Sequence, residues 1–181
     1  GTLIMWGAGS PIWPDFLRRS TVRYDPSKFR MVGALPSPSG IMVVRKKNID
    51  RLTDKSKPPL VMGDVTGNSS VAQILVWGPN FLDWNVKWVV GYRGHSDMKL
   101  AFERDENNIV ADYNVGYLEK LRECCVFYVQ RGIPQGDTMV RSPNWPDVPL
   151  FNDLILPKLP DQQARDAYDA WLAISEVGKW Y

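Results

Sequence analysis

Hydrophobic residues along the chain alternate between short β-branched runs and longer stretches with a helical period. The runs predict strands at 2–6, 31–35, 40–46, 60–63, 86–90, 108–112 and 125–132. The longer stretches predict a helical turn within 12–20, helices over 69–78, 96–106, 114–123 and 161–177, and a short helix that ends near 155. Strand, tight turn, helix and strand in succession imply parallel pairing through right-handed crossovers. The predicted fold class is therefore α/β, with a mostly parallel sheet and flanking helices.

Small polar residues and glycines mark where these helices should begin and end. Ser69 or Ser70, Ser96 and Asp147 are the predicted N-caps, and Gly78 is the predicted stop of the first helix. The helix over 161–177 has one apolar stripe, which we expect to be buried. It consists of Ala164, Ala167, Tyr168, Trp171 and Leu172.

Composition and charge are those of an ordinary soluble globule and add few constraints. The net charge is 22 − 20 = +2, and the only run of three basic residues, 45–47, is interpreted as a solvated strand end. No nucleic-acid partner is expected. No apolar stretch approaches the ~20 residues that cross a bilayer. The chain opens on "GTLIMWG", which has a strand pattern and lacks the signature of a signal peptide, so the sequence leaves a cytoplasmic location open.

Two strand-to-helix junctions share one chemistry. "GDVTGNSS" (63–70) and "GYRGHSD" (91–97) each have a glycine leaving the strand, a second glycine, and hydroxyl residues at the helix start. Glycine lets a ligand approach the backbone, and a helix start offers unpaired N–H groups with partial positive charge. Together they suit a carboxylate or phosphate. The alternative is that both are ordinary capped turns. Asp64 and Asp97 would count against an anion if they faced the pocket.

Catalytic chemistry has weaker support. His95 is the single histidine, no G-x-S-x-G motif surrounds a serine, and the glycine-rich loop lacks the lysine of a phosphate-binding P-loop. Cys124 and Cys125 are interpreted as core residues, and "HSD" offers no metal spacing. We expect no catalytic residues, no metal and no cofactor. An enzyme that uses His95 with Asp97 or a cysteine is the least supported hypothesis for the function of this chain.

Four segments, in the same order, resemble the receptors of tripartite tricarboxylate transporters, the Bug family of periplasmic solute-binding proteins. They are "VRYDPSKFRMVGALPSPSGIMVVRKK", "PPLVMGDVTGNSS", "VVGYRGHSDMKLAFERDENNIVAD" and "SPNWPDVPLFNDL". The resemblance extends over nearly the whole chain and corresponds to roughly the latter two-thirds of a receptor. Asp64 and Asn68 depart from the small residues of the family's first loop.

The resemblance implies a periplasmic-binding-protein-like clamshell with one complete and one partial lobe. The expected domains are 1–40 (partial first lobe), 41–130 (second lobe) and 131–181 (return to the first lobe). It further implies a periplasmic location, a small carboxylate or similar polar ligand held between lobes, and delivery to a membrane permease. The ligand-binding positions that it implies are Thr66, Gly67, Asn68, Ser69, Ser70, Tyr92, Arg93, Gly94, His95 and Ser96.

Self-association is the alternative function. The solute-binding module could be a truncated form without a transport role. In the alternative, the chain uses the fold as a scaffold for self-association and has no small-molecule ligand. The strand predicted at Thr2–Trp6 would lack a partner on one side, and an apolar edge invites pairing with another chain. We therefore expect a homodimer, or an exchanged element, that covers this strand.

Overall fold

The computed structural model describes residues 7–8, 18, 20, 22–30, 32–36, 38–65, 67, 72–136 and 138–180. The chain divides into two compact units, one formed by 1–38 with 161–181 and the other by 39–160. The strand predicted at Thr2–Trp6, and with it the proposed dimer edge, lies outside the described residues. The domain boundaries drawn from the sequence stay a prediction.

The described residues form ten strands and five α-helices, numbered here in chain order. The strands are β1 Gly7–Ala8, β2 Ala34–Pro36, β3 Ile41–Arg45, β4 Leu60–Asp64, β5 Val86–Val90, β6 Ile109–Asp112, β7 Cys125–Gln130, β8 Ile133–Gln135, β9 Thr138–Val140 and β10 Val177–Trp180. The helices are α1 Ile74–Phe81, α2 His95–Glu103, α3 Val115–Lys120, α4 Phe151–Ile155 and α5 Gln162–Glu176.

The larger unit is built on a five-stranded sheet with the order β5-β4-β6-β3-β7. β4 is parallel to both β5 and β6, whereas β3 is antiparallel to both β6 and β7. Four strands therefore run in one direction and β3 runs against them. This confirms the predicted α/β class and the mostly parallel sheet. β8 and β9 form a separate antiparallel hairpin that the sequence pattern did not predict.

Helices cover both faces of this sheet. Phe102 of α2 and Leu118 of α3 join a core cluster with Ile41 and Val43, against which Phe127 also packs. Tyr128, the next residue of β7, points to the opposite face because side chains alternate along a strand. There it makes an edge contact with Trp84, whose ring also meets Phe151 of α4. The result is a three-layer arrangement with the sheet in the middle.

Gly78 does not end α1, contrary to the prediction, and the helix continues to Phe81. A Cβ built on Gly78 would lie 1.9 Å from Cε3 of Trp84, so the glycine is there to admit the indole ring. The prediction was wrong because Gly78 was interpreted as the end of the helix, whereas its role is to leave room for the Trp84 side chain. The helix begins at Ile74 with Gln73 in the N-cap position, and the predicted caps Ser69 and Ser70 lie outside the described residues.

Two other predicted caps are wrong. α2 begins at His95, so Gly94 is its N-cap and Ser96 lies within its first turn. α4 begins at Phe151 after Leu150, and Asp147 lies too far upstream to cap it. In both places a small polar residue stands near the helix start, and tertiary packing decides where the helix begins.

The smaller unit contains α5 and an antiparallel sheet with the order β1-β10-β2. α5 confirms the helix predicted over 161–177, and the carboxylate of Asp161 caps it by accepting a hydrogen bond from the N–H of Ala164 at 2.8 Å. Tyr168, Trp171 and Leu172 are buried, as the predicted stripe requires. Ala167 is exposed, so the stripe is narrower than predicted.

Both cysteines are placed as core residues. Cys125 is buried in the cluster beneath α2 and α3, and Cys124 packs against it with the two sulfur atoms 3.5 Å apart. Burial is the largest cause that raises the pKa of the Cys125 thiol, to about 12. Such a thiol stays protonated at neutral pH and is a poor nucleophile.

Candidate ligand-binding site

The two glycine-rich junctions leave neighbouring parallel strands at the same edge of the sheet. β4 and β5 pair in parallel, with Asp64 opposite Val90 at their carboxyl ends. The backbone carbonyl of Asp64 accepts hydrogen bonds from the N–H groups of Gly91 at 3.1 Å and Tyr92 at 3.4 Å. The start of the second junction is therefore tied to the end of the first strand.

From this edge the chain departs to opposite faces of the sheet. The connection after β4 leads to α1, which lies on the face of Trp84 and Tyr128, and the connection after β5 leads to α2, on the face of Ile41 and Val43. Adjacent strands whose connections diverge in this way leave a crevice outside their carboxyl ends. In open α/β sheets this crevice is the usual place for ligands.

Of the predicted ligand positions in the first junction, only Gly67 belongs to the described residues; Thr66, Asn68, Ser69 and Ser70 lie outside them. Gly67 has φ of 73°, a left-handed conformation that favours glycine. A Cβ on Gly67 would be 3.3 Å from Cγ1 of Val90. The first loop therefore lies against the last residue of β5, directly before the second loop begins.

All five predicted positions of the second junction are described. The ring of Tyr92 crosses Gly63, and its hydroxyl donates a hydrogen bond to Oδ1 of Asn107 at 3.2 Å. The Tyr92 side chain therefore holds the second junction in place. Arg93, His95 and Ser96 are exposed, and Gly94 is partly buried.

The start of α2 has no capping side chain. Gly94 occupies the N-cap position without one, and its backbone carbonyl already accepts the N–H of Met98. The first-turn N–H groups of residues 95–97 are consequently left for solvent or a ligand. Asp97 stands in the same turn, and its side chain is exposed.

The burial and hydrogen bonding of Asp64 were not predicted from the sequence. Only 2% of the residue is exposed, and Oδ1 accepts a hydrogen bond from the N–H of Val65 at 2.7 Å. Oδ2 has no hydrogen-bond partner among the described residues. From the sequence, Asp64 was expected to oppose an anion if it faced the pocket. Its burial could not be predicted, because burial depends on neighbours that are distant along the chain. A carboxylate at the end of a buried strand, followed by a glycine-rich loop, is the signal that could have identified it.

The described residues do not assemble the catalytic arrangement considered from the sequence. His95 is exposed and forms no hydrogen bond or ion pair with Asp97 or with either cysteine. Within the same described part of the chain, no group of three or more His, Cys, Asp or Glu side chains could hold a metal ion. Nor does any described helix combine the length and hydrophobicity needed to cross a bilayer.

The basic run 45–47 lies at the opposite edge of the sheet and is internally paired. Arg45 forms an ion pair with Asp105 at 2.8 Å, hydrogen-bonds to the carbonyl of Phe102 and stacks over the Phe102 ring. Lys46 donates to the carbonyl of Glu123, and Lys47 pairs with Asp105 at 2.6 Å. These cations are therefore occupied in holding the fold.

No protein-family model matches the sequence, and no curated protein matches it. Among solved structures, the chain is similar to MatC (Rpa3494) from Rhodopseudomonas palustris with bound malate, a receptor of the tripartite tricarboxylate transporter (Bug) family. The match has a TM-score of 0.57 and 19% sequence identity, and it covers 97% of this chain and 55% of MatC. The chain thus spans about half the length of that receptor. The likeness confirms the periplasmic-binding-protein-like fold expected from the sequence.

Proposed function

We propose that this chain is a solute-binding module that holds a small carboxylate at the carboxyl edge of β4 and β5. The observation that carries the proposal is the parallel register of these strands, because it brings both glycine-rich exits to one crevice. The residues proposed to contact the ligand are Thr66, Gly67, Asn68, Ser69, Ser70, Tyr92, Arg93, Gly94, His95 and Ser96. The chain acts as a binding protein and not as an enzyme.

The chemistry of the second loop supports an anionic ligand. The uncapped start of α2 presents N–H groups and the positive end of the helix dipole. Arg93 is exposed beside it and forms no ion pair among the described residues, so its guanidinium can meet a carboxylate. Malate, the ligand of the structurally similar MatC, belongs to the same chemical class. A periplasmic location and delivery of the solute to a membrane permease are part of this proposal.

A thermal-shift measurement on the full chain tests the proposal. A panel of di- and tricarboxylates should contain at least one compound that raises the melting temperature. At a concentration of about 100 Kd, linkage predicts about 2.7 kcal/mol of stabilisation, or roughly 5–10 °C for a chain of this size. Uncharged sugars of similar size serve as the ligand control. If no carboxylate in the panel shifts the transition, the proposal is wrong.

A pair of arginine variants tests where the ligand sits. Arg93→Ala should weaken carboxylate binding about tenfold, because one charge-assisted hydrogen bond is lost. Arg104→Ala makes the same change at the C-terminal end of α2, where Arg104 is also exposed, and should leave binding unchanged. Equal losses in both variants would show that the carboxylate responds only to general charge, which contradicts a site at the start of α2.

Self-association is a second candidate because of one observation on β5. This strand is at the edge of the five-stranded sheet, and Val89 and Val90 are 37% and 57% exposed. An apolar edge strand can pair with a second chain. Light scattering separates the candidates: a dimer that Val90→Lys dissociates, in a protein that binds none of the carboxylates, favours the scaffold role. The dimer proposed through Thr2–Trp6 would instead persist in that variant.

A further inference from the structure

Asp64 carries an unsatisfied acceptor inside the proposed site. Buried polar atoms are bonded in the great majority of cases, and a buried carboxylate oxygen without a partner is costly. Oδ2 of Asp64 is such an atom, in a residue that is 98% buried at the last position of β4. The backbone carbonyl of Asp64 accepts from Gly91 and Tyr92 at the start of the second loop. Because side chains alternate along β4 and Gly63 faces Tyr92, the carboxylate lies on the other face, the side of Val90, against which Gly67 of the first loop lies.

The backbone N–H groups next to this oxygen, and the hydroxyl of Tyr92, already have other acceptors. The N–H groups of Gly91 and Tyr92 are used by the backbone carbonyl of Asp64, and the N–H of Val65 is used by Oδ1. The hydroxyl of Tyr92 donates to Asn107. Among the described residues, no lysine or arginine forms an ion pair with Asp64. Local rearrangement of these groups would therefore satisfy Oδ2 only by depriving another acceptor.

The carboxylate at the end of the adjacent strand shows the contrast. Asp112, the last residue of β6, accepts hydrogen bonds from the N–H groups of Tyr113 at 2.7 Å and Asn114 at 2.9 Å. Lys99 adds an ion pair at 3.3 Å. A strand-end aspartate in this sheet is thus fully satisfied where its role is structural. Asp64 differs because one oxygen is held by the loop and the other is left over.

We propose that Oδ2 of Asp64 accepts a hydrogen bond from the ligand, so that the site selects carboxylates that also carry a hydroxyl or ammonium group. This inference rests on the proposed function. The N–H groups at the start of α2 receive the ligand's carboxylate, and Asp64 receives the neighbouring donor. A carboxylate without a donor leaves Oδ2 unpaired, and no hydrogen bond then offsets the repulsion between its negative charge and that of Asp64.

Matched ligands measure this selectivity. Isothermal titration of the full chain compares malate with succinate and citrate with tricarballylate, two pairs that differ by one hydroxyl. The hydroxylated member of at least one pair should bind about ten- to hundredfold more tightly, the range for a hydrogen bond to a charged group. Aspartate carries an ammonium group where malate carries a hydroxyl. If aspartate binds more tightly than malate, the preferred donor is an ammonium group. If it binds more weakly, the preferred donor is a hydroxyl.

A single-atom change in the protein tests the assignment to Asp64. Asp64→Asn replaces one carboxylate oxygen by an amide NH₂, which donates instead of accepting. The preference for the hydroxylated ligand should fall to threefold or less, with succinate gaining affinity. Asp83→Asn is the matched control, because Asp83 is exposed before β5, at the other edge of the sheet. Its ligand preference should equal that of the unmodified chain.

The outcomes separate the two proposals. Equal affinity for both members of each pair, with binding still dependent on Arg93, overturns the role of Asp64 and leaves the carboxylate site standing. Binding of none of these ligands overturns both. A preference that survives in Asp64→Asn assigns the selectivity to another residue. If Asp64→Asn does not fold, the ligand pairs measured on the unmodified chain decide the question.

Discussion

The two edges of the five-stranded sheet, where its parallel strands begin and where they end, differ in the pairing of charged groups and in the space around glycines. At the amino edge, where β4, β5 and β6 begin, ion pairs join Lys47 to Asp105, Lys55 to Asp83 and Lys57 to Asp50. At the carboxyl edge, the start of α2 is uncapped and Asp64 retains an unpaired oxygen. The charges named at the amino edge are paired, whereas the carboxyl end of β4 keeps an unpaired oxygen, so these ion pairs lie away from the proposed ligand site.

Glycines show the same division. Gly78 lies near the amino edge, in contact with the ring of Trp84, which precedes β5, and no space remains for a Cβ. Gly91 and Gly94 lie at the carboxyl edge, where a Cβ would meet nothing within 4 Å. Gly78 therefore has no free space around it, whereas Gly91 and Gly94 at the start of the second junction leave room for the proposed ligand.

The largest expected effect is that of Gly78→Ala. The new methyl group would collide with Trp84, whose ring is fixed between Tyr128 and Phe151, so the free energy of unfolding should fall by about 3 kcal/mol. Helix propensity alone would favour alanine by about 1 kcal/mol. A lower free energy of unfolding, measured by urea denaturation with circular dichroism, would therefore identify the packing contact with Trp84.

Gly94→Ala is the control for that measurement. Gly94 has φ of 178°, an extended conformation open to any residue, and its surroundings are empty. The free energy of unfolding should change by less than about 0.5 kcal/mol. Equal losses in the two variants would show that the edges do not differ in packing.

The second prediction concerns Gly63, which is tightly packed although it lies next to the carboxyl end of β4. A Cβ there would lie 2.6 Å from Cε2 of Tyr92 and 2.6 Å from Nδ2 of Asn107. Gly63→Ala should lower the free energy of unfolding by about 2 kcal/mol and also weaken carboxylate binding, because Tyr92 holds the second loop. Calorimetric titration measures the binding and urea denaturation the stability.

Tyr92→Phe isolates the hydrogen bond from the steric effect. It removes only the hydroxyl that bonds to Asn107 and should cost about 1 kcal/mol of stability. Because the ring stays in place over Gly63, binding should change much less than in Gly63→Ala. Full carboxylate affinity in Gly63→Ala would refute a connection between this glycine and the site.

The strands were predictable because their signal is local. The run 86–90 is β-branched and aromatic and is followed by a glycine, and the structure has β5 at those residues. The parallel exits of β4 and β5 followed from the alternation of strands and helices. The reversed direction of β3 did not, since it depends on pairing with β6 and β7, which lie far along the chain.

The errors come from residues whose role depends on tertiary neighbours. Ser96 and Asp147 have the chemistry of caps, yet α2 and α4 begin elsewhere. Gly78 has the chemistry of a stop and instead makes room for Trp84. Asp64 shows the same dependence at the proposed site. Its residue type is visible in the sequence, whereas its burial and its unpaired oxygen arise only when β4 is enclosed by its neighbours.

The smallest expected effect is the contribution of Asp105 to the amino edge. The hydrogen bond from Lys47 is the largest cause that holds the pKa of Asp105 below its usual value, and the charge of Arg45 acts in the same direction. A carboxyl group whose pKa is lowered by folding stabilises the protein above its unfolded pKa of about 3.9, and that stability is lost as the pH falls through the folded value. Asp105→Asn should therefore be slightly less stable at pH 7.

The pH dependence distinguishes this effect from a packing defect. The urea midpoints of Asp105→Asn and the unmodified chain should differ at pH 7 and converge in acid, as the pH falls through the lowered pKa of folded Asp105. Asparagine tolerates the left-handed backbone of this residue, whose φ is 63°, so strain does not confuse the comparison. Asp169→Asn, at an exposed position in α5, should follow the unmodified chain at every pH. A difference for Asp105→Asn that persists unchanged in acid would mean that its ion pairs do not stabilise the amino edge.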